Sequence, residues 1–431
     1  MSTTLSEQLP QPTVAPRVVK PRPRVLLHEP VARRNPSVEF SFAGLIYSAT
    51  MLFMGLAAIN SQANLLFIVF GLMIGILLVS GAICQIVLRK IDVTRALPEH
   101  AAVGQPAVIQ YTITNRKRYW PNFSIVVSEL DSVTAFSRQP HAYLLHTAAR
   151  QTAVITCEVL PRRRGIYPLN EFQLTTGFPF GFVRRSIEGS QFERLLIYPA
   201  IGSVSPRLIA LCRSADRSGM RVKPSVNGND EFFGVKDFRA GENPRLIHWK
   251  RSARTGELVS KEMAQIAPPN LLIVLDTYLA ADDRSLASLE LLERAIAMAA
   301  SVATVAMESG MAVGLCLWHD GWKTFEPQRG KRHCREILAE LATVSVDDVF
   351  RINDLIDQAQ RIGESRTTLV LFSAHASIKS SSSRNRVLSL AADSSESRQW
   401  FEFDPKIDFV GVAPSSQAIS QIDPSAEAGA P

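Results

Sequence analysis

Few side chains in this sequence could carry covalent chemistry. His248 could serve as a base, Asp237 could orient it, and Ser252 or Cys212 could supply a nucleophile. Acyl transfer needs those three roles within hydrogen-bond reach of one another. His248 reads far more readily as one exposed position on a charged helix, and no G-x-S-x-G elbow or cysteine-nucleophile signature accompanies it. Nucleotide chemistry is no better served, because there is no G-x-x-x-x-G-K-S/T and no G-x-G-x-x-G after an apolar strand. The five cysteines, Cys84, Cys157, Cys212, Cys316 and Cys334, form no C-x-x-C pair, so neither a zinc site nor a disulfide scaffold is expected.

The densest chemistry is of another kind. Between Asn227 and Met263 charges of both signs alternate with aromatics, including Phe238, Arg239, Glu242, Arg245, Trp249, Lys250 and Arg254. Arginines can bind carboxylates through two hydrogen bonds, and Trp249 with Phe238 could anchor an interface. The same residues would also suit an internal connector whose ion pairs fix two domains together. Locally, Asn243 suits a helix cap, Pro244 the first helical position and Gly256 the terminator. A helix over Arg245 to Arg254 would put Leu246, Trp249 and Ala253 on its apolar side, with Glu257 to Met263 extended after it.

These residues need elements to position them. With 431 residues, 46% of them hydrophobic, the chain has room for roughly two or three domains. Residues 1–36 are rich in Pro, Ser, Thr and Arg and read as a disordered tail, too polar at the start for a secretory signal. Two apolar runs follow, at about 40–59 and 63–88 within a membrane region of 37–90, and neither holds Asp, Glu, Lys or Arg. Each is long enough to cross a bilayer, and Asn60-Ser61-Gln62 leaves room only for a tight hairpin. Arg33 and Arg34 precede the pair; Arg89, Lys90 and Arg95 follow it. That asymmetry predicts a two-pass inner-membrane protein with both termini cytoplasmic.

Residues 91–200 alternate apolar and polar with a period of two. Ile109, Tyr111 and Ile113 form one set, Phe123, Ile125 and Val127 another, and Ala153, Ile155, Cys157 and Val159 a third. The spacing predicts an antiparallel, immunoglobulin-like β-sandwich. The stretch GFPFGFVRR reads as an ordered loop with Phe178, Phe180 and Phe182 packed inward. From 269 to 414 continuous apolar strands alternate with helices, which predicts a doubly wound α/β domain. Its strands are LLIVLDT, AVGLCLW, TTLVLFS and DFVGVAP. Its helices fall over Ser285 to Ser309, Arg335 to Ala342, Asp354 to Ile362 and Arg384 to Ala391. Residues 415–431 read as a second disordered tail. The net charge of +7 admits nucleic acid or anionic lipid, and Arg162-Arg163-Arg164 and Arg184-Arg185 concentrate it. Without a nucleic-acid motif beside them, lipid contact, intramolecular pairing or solvation is expected, and no nucleic acid.

The central run E-F-x-G-V-x-x-F-x-x-G-E-x-x-R-x-I-x-W-K-x-x-A-R-x-G-x-L lies within 201–268. It is carried by Glu231, Phe232, Gly234, Val235, Phe238, Gly241, Glu242, Arg245, Ile247, Trp249, Lys250, Ala253, Arg254, Gly256 and Leu258. It resembles the signature of the bacterial domain-of-unknown-function 58 family, and RRRGIYPL, FPFGF and LIYPA extend the resemblance. The resemblance implies a von Willebrand factor A-like α/β domain. It also implies the company of a MoxR-type AAA+ ATPase and of a transglutaminase-like membrane protein, but no assigned reaction. Two positions depart from it. After the first α/β strand, Asp276-Thr277-Tyr278-Leu279-Ala280 stands where a metal-binding relative has D-x-S-x-S, and the later strand ends Leu371-Phe372-Ser373-Ala374 without an acid. With one carboxylate left, no metal and no cofactor is expected at Asp276. His248 stands where a carboxylate is expected before the tryptophan. The resulting expectation is a membrane-anchored, non-enzymatic adaptor; the alternative is a hydrolase or transglutaminase-associated enzyme using His248 and Asp237.

Overall fold

The computed structural model describes residues 32–61, 63–130, 134–214, 223–224, 231–239, 243–265, 270–280, 282–363, 367–375 and 387–409. The chain divides into two compact units, residues 1–200 with 404–431 and residues 201–403.

In the first unit β1 (Ala32–Phe40) leads into two apolar helices, α1 (Phe42–Ser61) and α2 (Asn64–Leu88), which pack on each other as a candidate hairpin. Both are long and apolar enough to cross a membrane. Leu45, Leu52, Phe53, Ile59, Leu65 and Leu72 all stand exposed along them, which is the opposite of a soluble core helix. The tail expected to reach Pro36 therefore ends earlier, at β1. This strand lies on a sheet edge, and its register slips between Arg34 and Ser37, so Pro36 removes no ladder bond.

Eight strands follow: β2 (Ile91–Ala96), β3 (Ala101–Ala102), β4 (Ala107–Asn115), β5 (Asn122–Glu129), β6 (His141–Thr147), β7 (Thr152–Val159), β8 (Gly165–Thr176) and β9 (Val183–Tyr198). They form two sheets, one in the order β1-β9-β8-β5-β6 with β3 beside β9, the other in the order β2-β4-β7. The period-two reading holds along β4, where Ile109, Tyr111 and Ile113 are all buried. It slips on β5. Ser124 has φ 48°, so Ile125 and Val127 point inward while Phe123 is only half-buried, its ring stacked on Phe178 at 4.8 Å.

A polar network joins the two sheets. Arg95 on β2 donates to Glu129 Oε2 at 2.6 Å and to the carbonyls of Leu169 and Gln191 at 2.5 Å each. Tyr111 Oη donates to the other Glu129 oxygen at 2.7 Å. Arg95, counted from the sequence among the charges flanking the membrane, is thus an interior residue. Arg164 is buried as well, and burial pulls its guanidinium pKa down to about 9 against the opposing pull of Tyr167. It is no part of a surface basic patch. The FPFGF loop turns only two of its rings inward, because Phe180 is 52% exposed.

The second unit begins with β10 (Ser203–Val204), α3 (Pro206–Ser214), β11 (Lys223–Pro224), β12 (Glu231–Asp237), α4 (Trp249–Thr255) and β13 (Val259–Gln265). Its α/β part comprises β14 (Asn270–Leu275), α5 (Leu286–Glu308), β15 (Ala312–Trp318), β16 (Trp322–Gln328), α6 (Lys331–Thr343), α7 (Ile352–Ile362), β17 (Thr368–Ser373), β18 (Val387–Ala391), α8 (Ser395–Trp400) and β19 (Phe401–Glu402). The main sheet runs β16-β15-β14-β17-β18, parallel except at β16.

Helix α5 packs on one face of this sheet. Leu355, Ile356 and Ala359 of α7 cover the other, over Leu272, Val274, Leu369 and Leu371. Ser285 caps α5 by accepting from Ser288 N–H, and the alanine-rich run from Ala295 to Ala303 is buried on all sides. One expectation fails here, and another is described only in part. Residues 387–391, read as the end of a helix, form a strand paired in parallel with β17, since a short apolar run has no period that tells the two apart. Asp408 and Phe409 are not in a strand, and the rest of DFVGVAP, like the tail 415–431, lies outside the described residues.

Candidate functional site

The signature residues fold as a clasp. β13 lies between β11 and β12, and α4 closes over it. The helix expected over Arg245 to Arg254 is broken in two. Pro244–Leu246 makes a single 3₁₀ turn, capped by Asn243 Oδ1 accepting from Arg245 N–H at 3.1 Å. The chain then extends so that Ile247 bridges Ser260, and His248 N–H donates to the Val259 carbonyl at 2.8 Å. α4 starts anew at Trp249, and Gly256 ends it in the left-handed region at φ 77°, where a side chain would be strained.

Ser252 closes the clasp. It is the buried residue of α4, accepting from Val259 N–H at 2.9 Å and donating to the His248 carbonyl at 3.2 Å. Everything else on α4 faces outward. Trp249 is 67% exposed, and Lys250, Arg251, Ala253 and Arg254 are exposed beside it, as are Arg239, Arg245 and Leu258. The apolar side expected for Leu246, Trp249 and Ala253 does not exist, because the break at His248 rotates α4 so that Ser252 meets the sheet. Among the described residues no ion pair engages Arg239, Arg245, Lys250, Arg251 or Arg254. Phe238 is half-buried, its N–H donating to the Leu258 carbonyl at 2.9 Å. Gly241 and Glu242 lie outside the described residues.

Two of the residues of the alternative enzyme, His248 and Ser252, are engaged locally. His248 Nδ1 accepts from Arg251 N–H at 3.3 Å, so the ring caps α4. Ser252 Oγ is spent on the clasp. Cys212 is buried in α3, where its carbonyl accepts from Thr368 Oγ1 at 3.0 Å. Asp237 is exposed on β12.

A second cluster stands at the carboxyl ends of β14 and β17, where the chain's crossovers change direction along the sheet. Asp276 is buried there, with one oxygen accepting from Tyr278 N–H at 3.1 Å. Burial chiefly, and Asp347 secondarily, push its carboxyl up to about 6, against the opposing effects of that N–H and of His375. Around it, Asp283 accepts from Ser288 Oγ at 2.8 Å and lies 3.5 Å from His375 Nε2. Asp347 accepts from Arg351 Nε at 3.3 Å. Among the described residues no three His, Cys, Asp or Glu side chains converge on a point that a metal ion could occupy. The contributions of Ser252, Asp347 and His375 escape a linear reading, because each partner lies across a turn or on a different strand.

Residues 234–399 match the family model described as "Protein of unknown function DUF58". The chain is also 20% identical, over 198 residues, to "Uncharacterized protein YeaD" of Bacillus subtilis (strain 168). That alignment covers 46% of this chain and 47% of the relative, so it spans about half the length of each. The region that matches the DUF58 model runs from β12, through the clasp, to α8.

Proposed function

We propose that the chain is a membrane-anchored adaptor without enzymatic activity, and that the clasp is its docking surface for a protein partner. The observation that carries this is the outward face of α4. A tryptophan and several cations stand in solvent on a helix whose buried serine pins it to β13. An internal connector would instead turn those arginines toward carboxylates of its own chain. A partner with acidic groups around an apolar pocket fits this face, since a buried aromatic ringed by charge-assisted hydrogen bonds is the usual make-up of an interface hot spot. By family resemblance that partner is a MoxR-type AAA+ ATPase, with a transglutaminase-like membrane protein as a further associate.

The same proposal places the chain in a bacterial inner membrane as a two-pass protein. Arg33, Arg34, Arg89 and Lys90 would hold both termini in the cytoplasm. It treats the two sheets of the first unit as an immunoglobulin-like sandwich and the five-stranded sheet of the second as von Willebrand factor A-like, with Asp276 kept as a buried acid and no metal. The rival enzyme would have to use His248 through Nε2 alone, because Nδ1 caps α4.

Affinity capture from native membranes tests the adaptor. Arg245→Glu and Trp249→Ala should each lose the partner that the unsubstituted chain recovers. Retention of every partner by both variants would refute the docking surface. Reporter fusions at Gln62 and Pro414 test topology, with periplasmic and cytoplasmic signals expected respectively.

A further inference from the structure

We infer that one end of the β region is itself a lipid-binding surface, with Tyr119, Trp120 and Phe180 seated in the head-group layer of an anionic bilayer. The inference rests on reading α1 and α2 as membrane spans.

The depth follows from the helices. At about 1.5 Å per residue α1 covers the hydrocarbon core with nothing to spare, while the 25 residues of α2 exceed it by about 7 Å. Protein covers the C-terminal part of that longer helix. Ser80, Cys84, Val87 and Leu88 are buried, and Cys84 Sγ lies 3.0 Å from the Phe178 carbonyl. On the other helix Ser41 N–H donates to the Phe182 carbonyl at 3.0 Å, and the Phe182 ring stacks on Tyr47 at 4.2 Å. Ser41 directly precedes α1 and Tyr47 is five residues into it, so the FPFGF loop runs beside the first two turns, at the end of that span. Phe180, with its ring 5.8 Å from that of Phe182, points away from the protein.

The second loop is fixed to the end of α2. Arg116 N–H donates to the Lys90 carbonyl at 3.0 Å, and Lys117 Nζ donates to the carbonyls of Val87 at 2.7 Å and Arg89 at 3.1 Å. A buried ammonium thus satisfies the last carbonyls of α2, where the helix dipole favours a cation. Buried Asn115 donates to the Trp120 carbonyl at 2.9 Å and to that of Ala148 at 3.1 Å, which pins the turn. On that pinned turn Tyr119 is 73% and Trp120 56% exposed. Arg89, Lys90, Arg118 and Arg184 are exposed around the two loops. Amphipathic rings beside cations at the depth where a span leaves hydrocarbon match the head-group layer of an anionic membrane.

The test uses the full chain reconstituted in phosphatidylglycerol–phosphatidylethanolamine vesicles whose lipids carry bromine near the ester carbonyls. Flotation comes first; a chain that does not float with the vesicles overturns the spanning reading rather than this one. In a floated sample bromine should quench part of the tryptophan emission, and Trp120→Phe should abolish most of that quenched part. Phe180→Trp added to Trp120→Phe should restore it. Phe192→Trp should not, because Phe192, itself 63% exposed, lies nine residues and about 30 Å along β9 from its first residue, Val183. The same quenched fraction in the unsubstituted chain and in Trp120→Phe, or no gain from Phe180→Trp, would overturn the inference. Quenching that is equally strong in phosphatidylcholine vesicles would overturn the role of the cations.

Discussion

The two units handle charge in opposite ways. In the β region Arg95 and Glu129 are buried against each other, and Glu193 and two carbonyls accept from three more of the guanidinium N–H groups. In the clasp Arg245, Lys250 and Arg254 stand in solvent beside an exposed tryptophan. A buried pair of this kind fixes how two sheets meet, and it leaves nothing for a ligand. Cations on a pinned helix contribute little to stability and remain free to recognise something else. Composition alone does not separate the cases; the number of satisfied donors does.

The largest test of that contrast removes the carboxylate. Glu129→Ala leaves Arg95 buried beside an empty site and should cost about 3–5 kcal/mol, read from denaturant unfolding of the full chain in detergent. A loss below about 1 kcal/mol, the range of exposed pairs, would put Arg95 in the same class as the clasp cations.

Asp276 sharpens the comparison, since it is buried with only an N–H and a distant histidine in its favour. Its folded pKa of about 6 lies above the unfolded value, so the stability it contributes is complete below about pH 4 and is lost as pH rises through 6. Asp276→Asn should therefore match the unsubstituted chain near pH 4 and exceed it by about 2 kcal/mol at pH 7.5. Thermal unfolding across that range checks the sign; a variant less stable at pH 7.5 would mean that the charge has a partner.

Within the clasp the contrast can be broken residue by residue. Ser252→Ala strands the Val259 N–H and should destabilise the segment by about 1–2 kcal/mol, visible as faster amide exchange along β13. Trp249→Ala should change stability by less than about 0.5 kcal/mol while abolishing partner capture. If Trp249→Ala instead unfolds the clasp, its exposure in the free chain is not what matters.

Much of the architecture is legible in linear order, because α1, α2, β4, β14, β15 and β17 are each declared by a local apolar pattern. The failures share a cause. Ser124 reverses a strand face through one backbone angle, and VLSLA takes its state from β17. The antiparallel edge strand β16, with a mostly exposed and polar sequence, offers no apolar period to detect. For the candidate site the residue types were legible, but their directions were not. Trp249 faces out because His248 and Ser252 bind β13, and those bonds join residues across a turn.

The junction after α2 has a mechanical meaning. Only Arg89 and Lys90 separate the helix from β2, and Lys117 rivets the helix end to the neighbouring loop. There is no slack to absorb a pull. A force applied to the β region would pass directly to the helical pair, so the two would move as a lever rather than as a body on a tether.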